Sequence, residues 1–325
     1  MRRIWIQIHL WLGLTLGAVG IVLGLSGSFL LYDQEIDAGL NPGRYSVTDP
    51  SASLPLTAYA HRAARALPSG TQVTGVRLPT GEGMPVLVFA RGREARPFTR
   101  VYLDPPTGRV LDVVAIGGFL ASVHRLHENL LLGRYWGREF VGLVGIAMLI
   151  SSLSGLYLWW PLRGSLRITL RPRPGITASR NLHYLCGFYG CILLALLSFT
   201  GIWLAYPDAA RAAVGAFSPL PPSPRKIRAP QPSARGKAIA PEAALDAAHG
   251  LYPAAAVASL GFQTGPRAVY RVGLRAPAGA ISVYIDPFSG AVLARSDPAT
   301  RRAGERVLSV VRELHAGDAL AAPVR

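Results

Sequence analysis

From Ile4 to Tyr32 the chain runs through IWIQIHLWLGLTLGAVGIVLGLSGSFLLY without one Asp, Glu, Lys or Arg. A helix needs roughly 20 apolar residues to cross the hydrocarbon core of a bilayer, and this stretch exceeds that. A secretory leader has an apolar stretch of only about 7 to 15 residues followed by a small-residue cleavage site, and neither condition is met. Two further runs of the same kind extend from about Phe140 to Trp160 and from about Leu182 to Tyr206. Hydrophobic residues make up 50% of the 325, more lipid-compatible than an ordinary soluble chain. Three spans in a helical transmembrane bundle are therefore expected.

Arg and Lys close to span ends set orientation, the basic side staying cytoplasmic. Arg2 and Arg3 precede the first span, whereas Asp33, Glu35 and Asp37 follow it. The link between the second and third spans carries Arg163, Arg167, Arg171, Arg173 and Arg180 and no acid. This predicts a first span through residue 32, an outer segment over 33–136, a second span over 137–160, and a basic cytoplasmic loop over 161–180. A third span over 181–206, a Pro-rich linker over 207–240 and a second outer segment over 241–325 follow. In a bacterial inner membrane, with the N-terminus cytoplasmic, both outer segments are periplasmic. The net charge of +16 does not point to nucleic acid, because the basic residues are spread over segments on both sides. A lipid surface and an anionic ligand outside the cytoplasm suit it better. Cys186 and Cys191 fall within the third span and say nothing about redox compartment.

The chain also repeats itself. His9-x-x-x-Gly13 in the first span matches His183-x-x-x-Gly187 in the third, and Gly27 and Tyr32 recur at the same offsets as Gly201 and Tyr206. VYLDPPTGRVL, from Val101, matches VYIDPFSGAVL, from Val283. Each reads as a strand, a turn and a second strand, in which Asp104 and Asp286 are turn residues. An amphipathic helix precedes each hairpin, LTAYAHRAARAL and PEAALDAAHGLY, so each outer segment is expected to be a small α+β domain. His61 and His249 on those helices read as solvated. Both repeated spans run outward, which implies an internal parallel duplication about an axis along the membrane normal. LHENLLLG with His127 then matches LHAGDAL with His315. A span follows His127, and the repeat predicts a fourth after His315; none is present in the sequence given.

The duplication matches histidines by depth: His9 with His183 near the cytoplasmic face, His127 with His315 near the outer one. One histidine in a span is explained by snorkelling or by a hydrogen bond to a neighbouring helix. Two at matching depth point to a ligand pair. Gly13, Gly17, Gly20, Gly24 and Gly27 form a bare stripe with His9, suited either to close helix packing or to a flat cofactor. Gly13 and Gly187, one turn from each histidine, favour the cofactor. Zinc takes three or four compact ligands, commonly with Cys or a carboxylate among them, which the inner pair lacks. Two imidazoles across a porphyrin fit haem, and without C-x-x-C-H it is the non-covalent haem b, one or two per chain.

The H-x-x-x-G spans, the D-P-x-x-G turns, LHENLLLG, GLYLWWP at residues 155 to 161 and LHAGD together resemble the PepSY-associated transmembrane helix family of inner-membrane proteins. The resemblance covers essentially the whole chain, although typical members carry a further C-terminal span. It implies PepSY-like outer domains and, because the family includes haem-containing ferric-siderophore reductases, outward electron transfer to a ferric chelate or siderophore. No nucleotide-binding fingerprint is present, so the donor is a quinol or a separate protein. The bilayer is the other expected partner, and an oligomer remains open. The alternative reading is a membrane-tethered PepSY module that holds a protease or peptide along strand edges, with no redox activity. His124 has no repeat partner and stays open between an alternative ligand, a propionate or substrate contact and an interfacial residue. Arg125, Arg134 and Arg138 read as headgroup contacts or as propionate partners. With no span after it, His315 is expected on a loose tail, so the inner pair should hold haem more firmly than the outer.

Overall fold

The structure, a computed structural model, describes residues 1–49, 53–92, 98–115, 117–133, 136–160, 176–230, 238–262 and 267–318. Among these, the helices are α1 (Arg2–Leu30), α2 (Asp33–Leu40), α3 (Leu56–Ala66), α4 (Phe119–Asn129), α5 (Gly137–Trp159), α6 (Ile176–Ala205), α7 (Pro207–Gly215), α8 (Pro241–Leu251) and α9 (Ala303–Ala316). The strands are β1 (Gln72–Arg77), β2 (Val86–Arg91), β3 (Phe98–Leu103), β4 (Val110–Ala115), β5 (Ala256–Phe262), β6 (Tyr270–Ala276), β7 (Gly279–Ile285) and β8 (Val292–Ser296). They sort into a helical unit (Met1–Asp33, Phe119–Leu220, Ala303–Arg325) and a sheet unit (Gln34–Gly118, Pro221–Arg302).

In the helical unit α1, α5 and α6 are long and apolar enough to cross a membrane, each with a mean hydropathy of 2.0 over its most apolar stretch. α6 begins at Ile176, ahead of the start expected near Leu182, because nothing in ITASRN breaks a helix. Residues 161–175 of the predicted basic loop lie outside the described residues. Pro207, whose missing N–H costs nothing in a first helical turn, opens α7 where α6 ends. Small residues seat the long helices against one another, as packing between apolar surfaces in lipid requires. A Cβ at Gly142 of α5 would strike the Tyr206 ring, and one at Gly145 would come within 3.1 Å of Ile202 on α6. Gly20 of α1 makes room for Met148 of α5 in the same way.

In the sheet unit, the two expected α+β domains are one. Each outer segment supplies a helix and four strands, but the strands join in a single antiparallel sheet ordered β4-β3-β2-β1-β5-β6-β7-β8. The join is the pairing of β1 with β5, with Gly75 opposite Gly261, Val76 opposite Leu260 and Arg77 opposite Ser259. A lone half would leave its first strand as an exposed edge, and pairing the two halves removes both edges at once. Alternation sends Val86, Val88 and Ala90 of β2, Val101 and Leu103 of β3, Val272 and Leu274 of β6, and Val283 and Ile285 of β7 into one buried cluster with Ala63 of α3 and Ala244 and Ala248 of α8.

Tyr59 of α3 lies wholly buried in that cluster. Its hydroxyl accepts from Leu54 N at 2.8 Å and donates to the Pro105 carbonyl, tying helix, entry loop and turn together. Tyr59→Phe leaves both partners without it in a dry site, which costs about 1–3 kcal/mol. A lower midpoint in the unfolding of the sheet unit, followed in detergent by circular dichroism, is the expected result.

Candidate functional site

Four of the seven histidines meet as two pairs in the helical unit. His9 of α1 and His183 of α6 have ring centroids 6.0 Å apart and planes inclined by 67°. His127 of α4 and His315 of α9 have centroids 6.1 Å apart, inclined by 42°. These are the residues that the repeat matches by depth.

Three of the four rings are held in one way. His127 Nδ1 lies 2.9 Å from the Leu23 carbonyl and 3.3 Å from Ser26 Oγ on α1. Its Cε1 faces Gly27, where a Cβ would come within 2.8 Å. His315 Nδ1 lies 3.0 Å from Thr200 Oγ1 on α6, bonds the Leu197 backbone as well, and sets Cε1 over Gly201. His9 Nδ1 is 3.1 Å from both the Ser151 carbonyl and Ser154 Oγ on α5, with Cε1 over Gly155. The seat is a carbonyl, a hydroxyl three residues later and an adjacent glycine, which 3.6 residues per turn place on one face of the supporting helix.

This seat fixes the tautomer. A carbonyl only accepts, and each hydroxyl already donates to a carbonyl of its own helix: Ser26 to Val22 and Leu23, Ser154 to Ser151, Thr200 to Leu196 and Leu197. The ring proton is therefore on Nδ1, and Nε2 keeps its lone pair. Burial, ahead of any nearby charge, pushes His127 and His315 below the usual imidazole value, which favours the neutral ring. His183 is exposed, and no described residue gives it a comparable seat.

The expected loose tail at His315 is not what the structure has. α9 is helical through Ala316, and His315 is half-buried on α6 rather than loose on a tail. Residues 319–325 lie outside the described residues. Both outer rings are seated, whereas the inner pair has one seated ring.

The glycine stripe divides by role. Gly20 packs on Met148 and Gly27 seats His127, whereas a Cβ at Gly13, Gly17, Gly24, Gly187 or Gly190 would meet nothing within 4 Å. Beside His9 and His183 there is thus open space. Among the described residues no three His, Cys, Asp or Glu side chains converge as a metal-binding group.

Other candidates separate from the pairs. His124 has 64% of its side chain exposed and Nε2 4.0 Å from Glu128 Oε2 one turn on, and it is not one of the paired rings. Arg138 donates to the Leu204 carbonyl at 2.6 Å, closing the end of α6. Arg125 is exposed and donates to Ser122, and Arg134 lies outside the described residues. His61 and His249 are exposed. Asp104 accepts from Thr48 N, Thr48 Oγ1 and Thr107 Oγ1 at 2.5–2.9 Å. Asp286 accepts from Phe288 N and Ser289 Oγ at 3.0 and 2.8 Å; both carboxylates are turn residues.

Two features have weak sequence signals. Ser154-Gly155 is hidden in SSLSGLYLWW, and only knowing that Ser26-Gly27 and Thr200-Gly201 receive histidines singles it out. Leu130 and Leu131, just after the helix of His127, take φ of 50° and 58°, a left-handed conformation that costs roughly 1–2 kcal/mol per residue without glycine.

Three membrane-length helices with paired, tautomer-fixed imidazoles, and a separate antiparallel sheet unit, define a membrane protein of helical and α+β parts. The family model of the PepSY-associated TM region matches residues 6–325, and the chain belongs to that family. No curated protein matches it.

Proposed function

We propose that the chain is a b-type haem protein of a bacterial inner membrane that passes electrons outward to a ferric chelate such as a ferri-siderophore. The observation that carries this is the spacing of the two pairs, 6.0 and 6.1 Å between ring centroids. A metal bonded to two imidazoles at about 2.0–2.1 Å, with roughly 1 Å more inside each ring, separates the centroids by about 6 Å. With no third His, Cys, Asp or Glu converging on them among the described residues, two imidazoles leave the remaining positions to a macrocycle. The open space beside Gly13 and Gly187 gives such a group room. His9 and His183 would hold one haem, and His127 and His315 another. Haem bound there supplies one-electron exchange between ferric and ferrous iron.

The duplication supports two sites rather than one. His9 and Ser26 stand 17 residues apart on α1, about 26 Å at roughly 1.5 Å per residue, so the sites lie at opposite ends of one helix. The seats leave Nε2 of His9, His127 and His315 fixed in direction before any metal arrives, which lowers the ordering cost of binding. Electrons enter from a quinol or a separate protein on the side of His9 and leave on the side of His127. Arg2 and Arg3 against Asp33, Glu35 and Asp37 put the first side in the cytoplasm. An electron delivered to a ferric chelate yields Fe(II), which hard oxygen ligands hold less tightly.

The test is optical. Protein made with ample haem shows a Soret band and, on dithionite reduction, the sharp α-band of six-coordinate b-type haem; a colourless, folded protein sinks the proposal. Topology has its own expected outcome, with reporter fusions at Leu170 active in the cytoplasm and at Ser223 in the periplasm. A reversed pattern exchanges the roles of the two sites. The other reading, a peptide-holding module, has β4 and β8 as free sheet edges but gives no role to three imidazoles tied in one tautomer.

A further inference from the structure

The sheet unit has a second face, opposite α3 and α8, and register builds one continuous row across it. Arg100 of β3 stands opposite Phe89 of β2, Phe89 opposite Gly75 of β1, and Gly75 opposite Gly261 of β5. Gly261 stands opposite Arg271 of β6, and Arg271 opposite Tyr284 of β7. Two glycines thus floor the centre, with an arginine on either side. Arg77, two residues along β1 from Gly75, points to the same face.

The three guanidinium groups lie over rings. Arg77 is 5.2 Å and Arg100 5.8 Å from the centroid of Phe89, and Arg271 is 5.8 Å from that of Tyr284. Stacking orients them but supplies no negative charge, and none of the three has a salt bridge among the described residues. Arg100 Nε is buried with no hydrogen-bond partner among the described residues. Partial desolvation and then the charges of Arg100 and Arg271 push the Arg77 guanidinium below its usual value, so Arg77 is repelled by both neighbours. Arg77 and Arg271 remain exposed. Arrays of like charge on rigid strands are unfavourable unless an anion joins them.

We propose that this face binds a small soluble ligand presenting several carboxylate oxygens. Guanidinium forks match carboxylates bidentately, and at buried Gly75 and half-buried Gly261 no side chain stands between the arginines. Docking on a lipid surface takes flexible cationic side chains beside apolar anchors; here each cation lies within 6 Å of a ring centroid and the central positions are glycine. A ferric polycarboxylate is then the class of chelate the protein takes. That last identification rests on the electron-transfer reading, whereas binding of the carboxylate itself does not.

Calorimetric titration of full-length protein in phosphatidylcholine nanodiscs with iron-free citrate tests the site, since neither iron nor haem enters the measurement. Saturable binding is expected, weakened at least tenfold in Arg100→Gln and in Arg271→Gln, and weakened less in Arg100→Lys and Arg271→Lys, which keep charge but lose the fork. Arg65→Gln, an exposed change on α3, should bind as the parent does, and thermal melts exclude unfolded variants. No binding by the folded parent, or equal binding by the glutamine variants, overturns the proposal. So does loss of citrate binding when phosphatidylglycerol replaces phosphatidylcholine, accompanied by weaker lipid retention in the glutamine variants, because a headgroup then occupies the face. A colourless protein that still binds citrate overturns the haem reading alone.

Discussion

Replacement of His127 by alanine is expected to remove one haem equivalent, replacement of His315 to remove the same one, and the double variant to lose no more than either alone. On the proposed reading His127 and His315 would hold one haem between them, so loss of either would remove one of its two protein ligands. Residues that act as a unit are non-additive. His9→Ala combined with His127→Ala should instead lose both equivalents, because the two pairs are separated by most of the length of α1. Pyridine haemochrome per protein, measured after purification in haem-replete conditions, gives the count. Additive losses from His127→Ala and His315→Ala would show that the two do not share a metal, whatever the separation of their rings.

The second large effect distinguishes two glycines on one helix. Gly27→Leu puts a branched side chain where even a Cβ would come within 2.8 Å of His127 Cε1. The ring must leave its bonds to Leu23 and Ser26, and the outer site should lose at least tenfold in haem affinity, the scale seen when groups that orient a ligand are removed. At Gly13 an added Cβ meets nothing within 4 Å among the described residues, so membrane insertion and thermal stability of Gly13→Leu should match the parent. The inner haem should nevertheless be lost, since the space that leucine enters is the space proposed for the macrocycle. Unchanged inner haem in Gly13→Leu would falsify the assignment of that space, and a destabilised Gly13→Leu protein would return the stripe to helix packing.

Both effects follow from parts that were legible in the sequence to different degrees. The spans were legible because a bilayer imposes length and apolarity locally, so that Ile4 to Tyr32 declares itself without any neighbour. The histidine pairs were legible because the repeated sequence relates His9 to His183 and His127 to His315 by position alone. The glycines were half legible. Their spacing along one face of α1 is periodic, but whether a given glycine admits a ring, a neighbouring helix or nothing depends on what lies opposite. Gly27, Gly20 and Gly13 meet a histidine, a methionine and open space in turn.

What the sequence by itself determined is therefore what the chain obeys locally or repeats: three apolar helices, two alternating strand hairpins and two histidine pairs. Only the tertiary structure decided how the halves close on each other. The β1–β5 pairing made one sheet of two expected domains, because each first strand has an open edge that is best satisfied by the other. The same register set Arg100 and Arg271 on either side of Gly75 and Gly261, although these residues are far apart in the chain. Likewise Ser154 gives no sign of its role until α5 lies against α1 and brings it to His9. Seats and rows of this kind join residues on different elements, and no periodicity within one element encodes which residue another element will present to it.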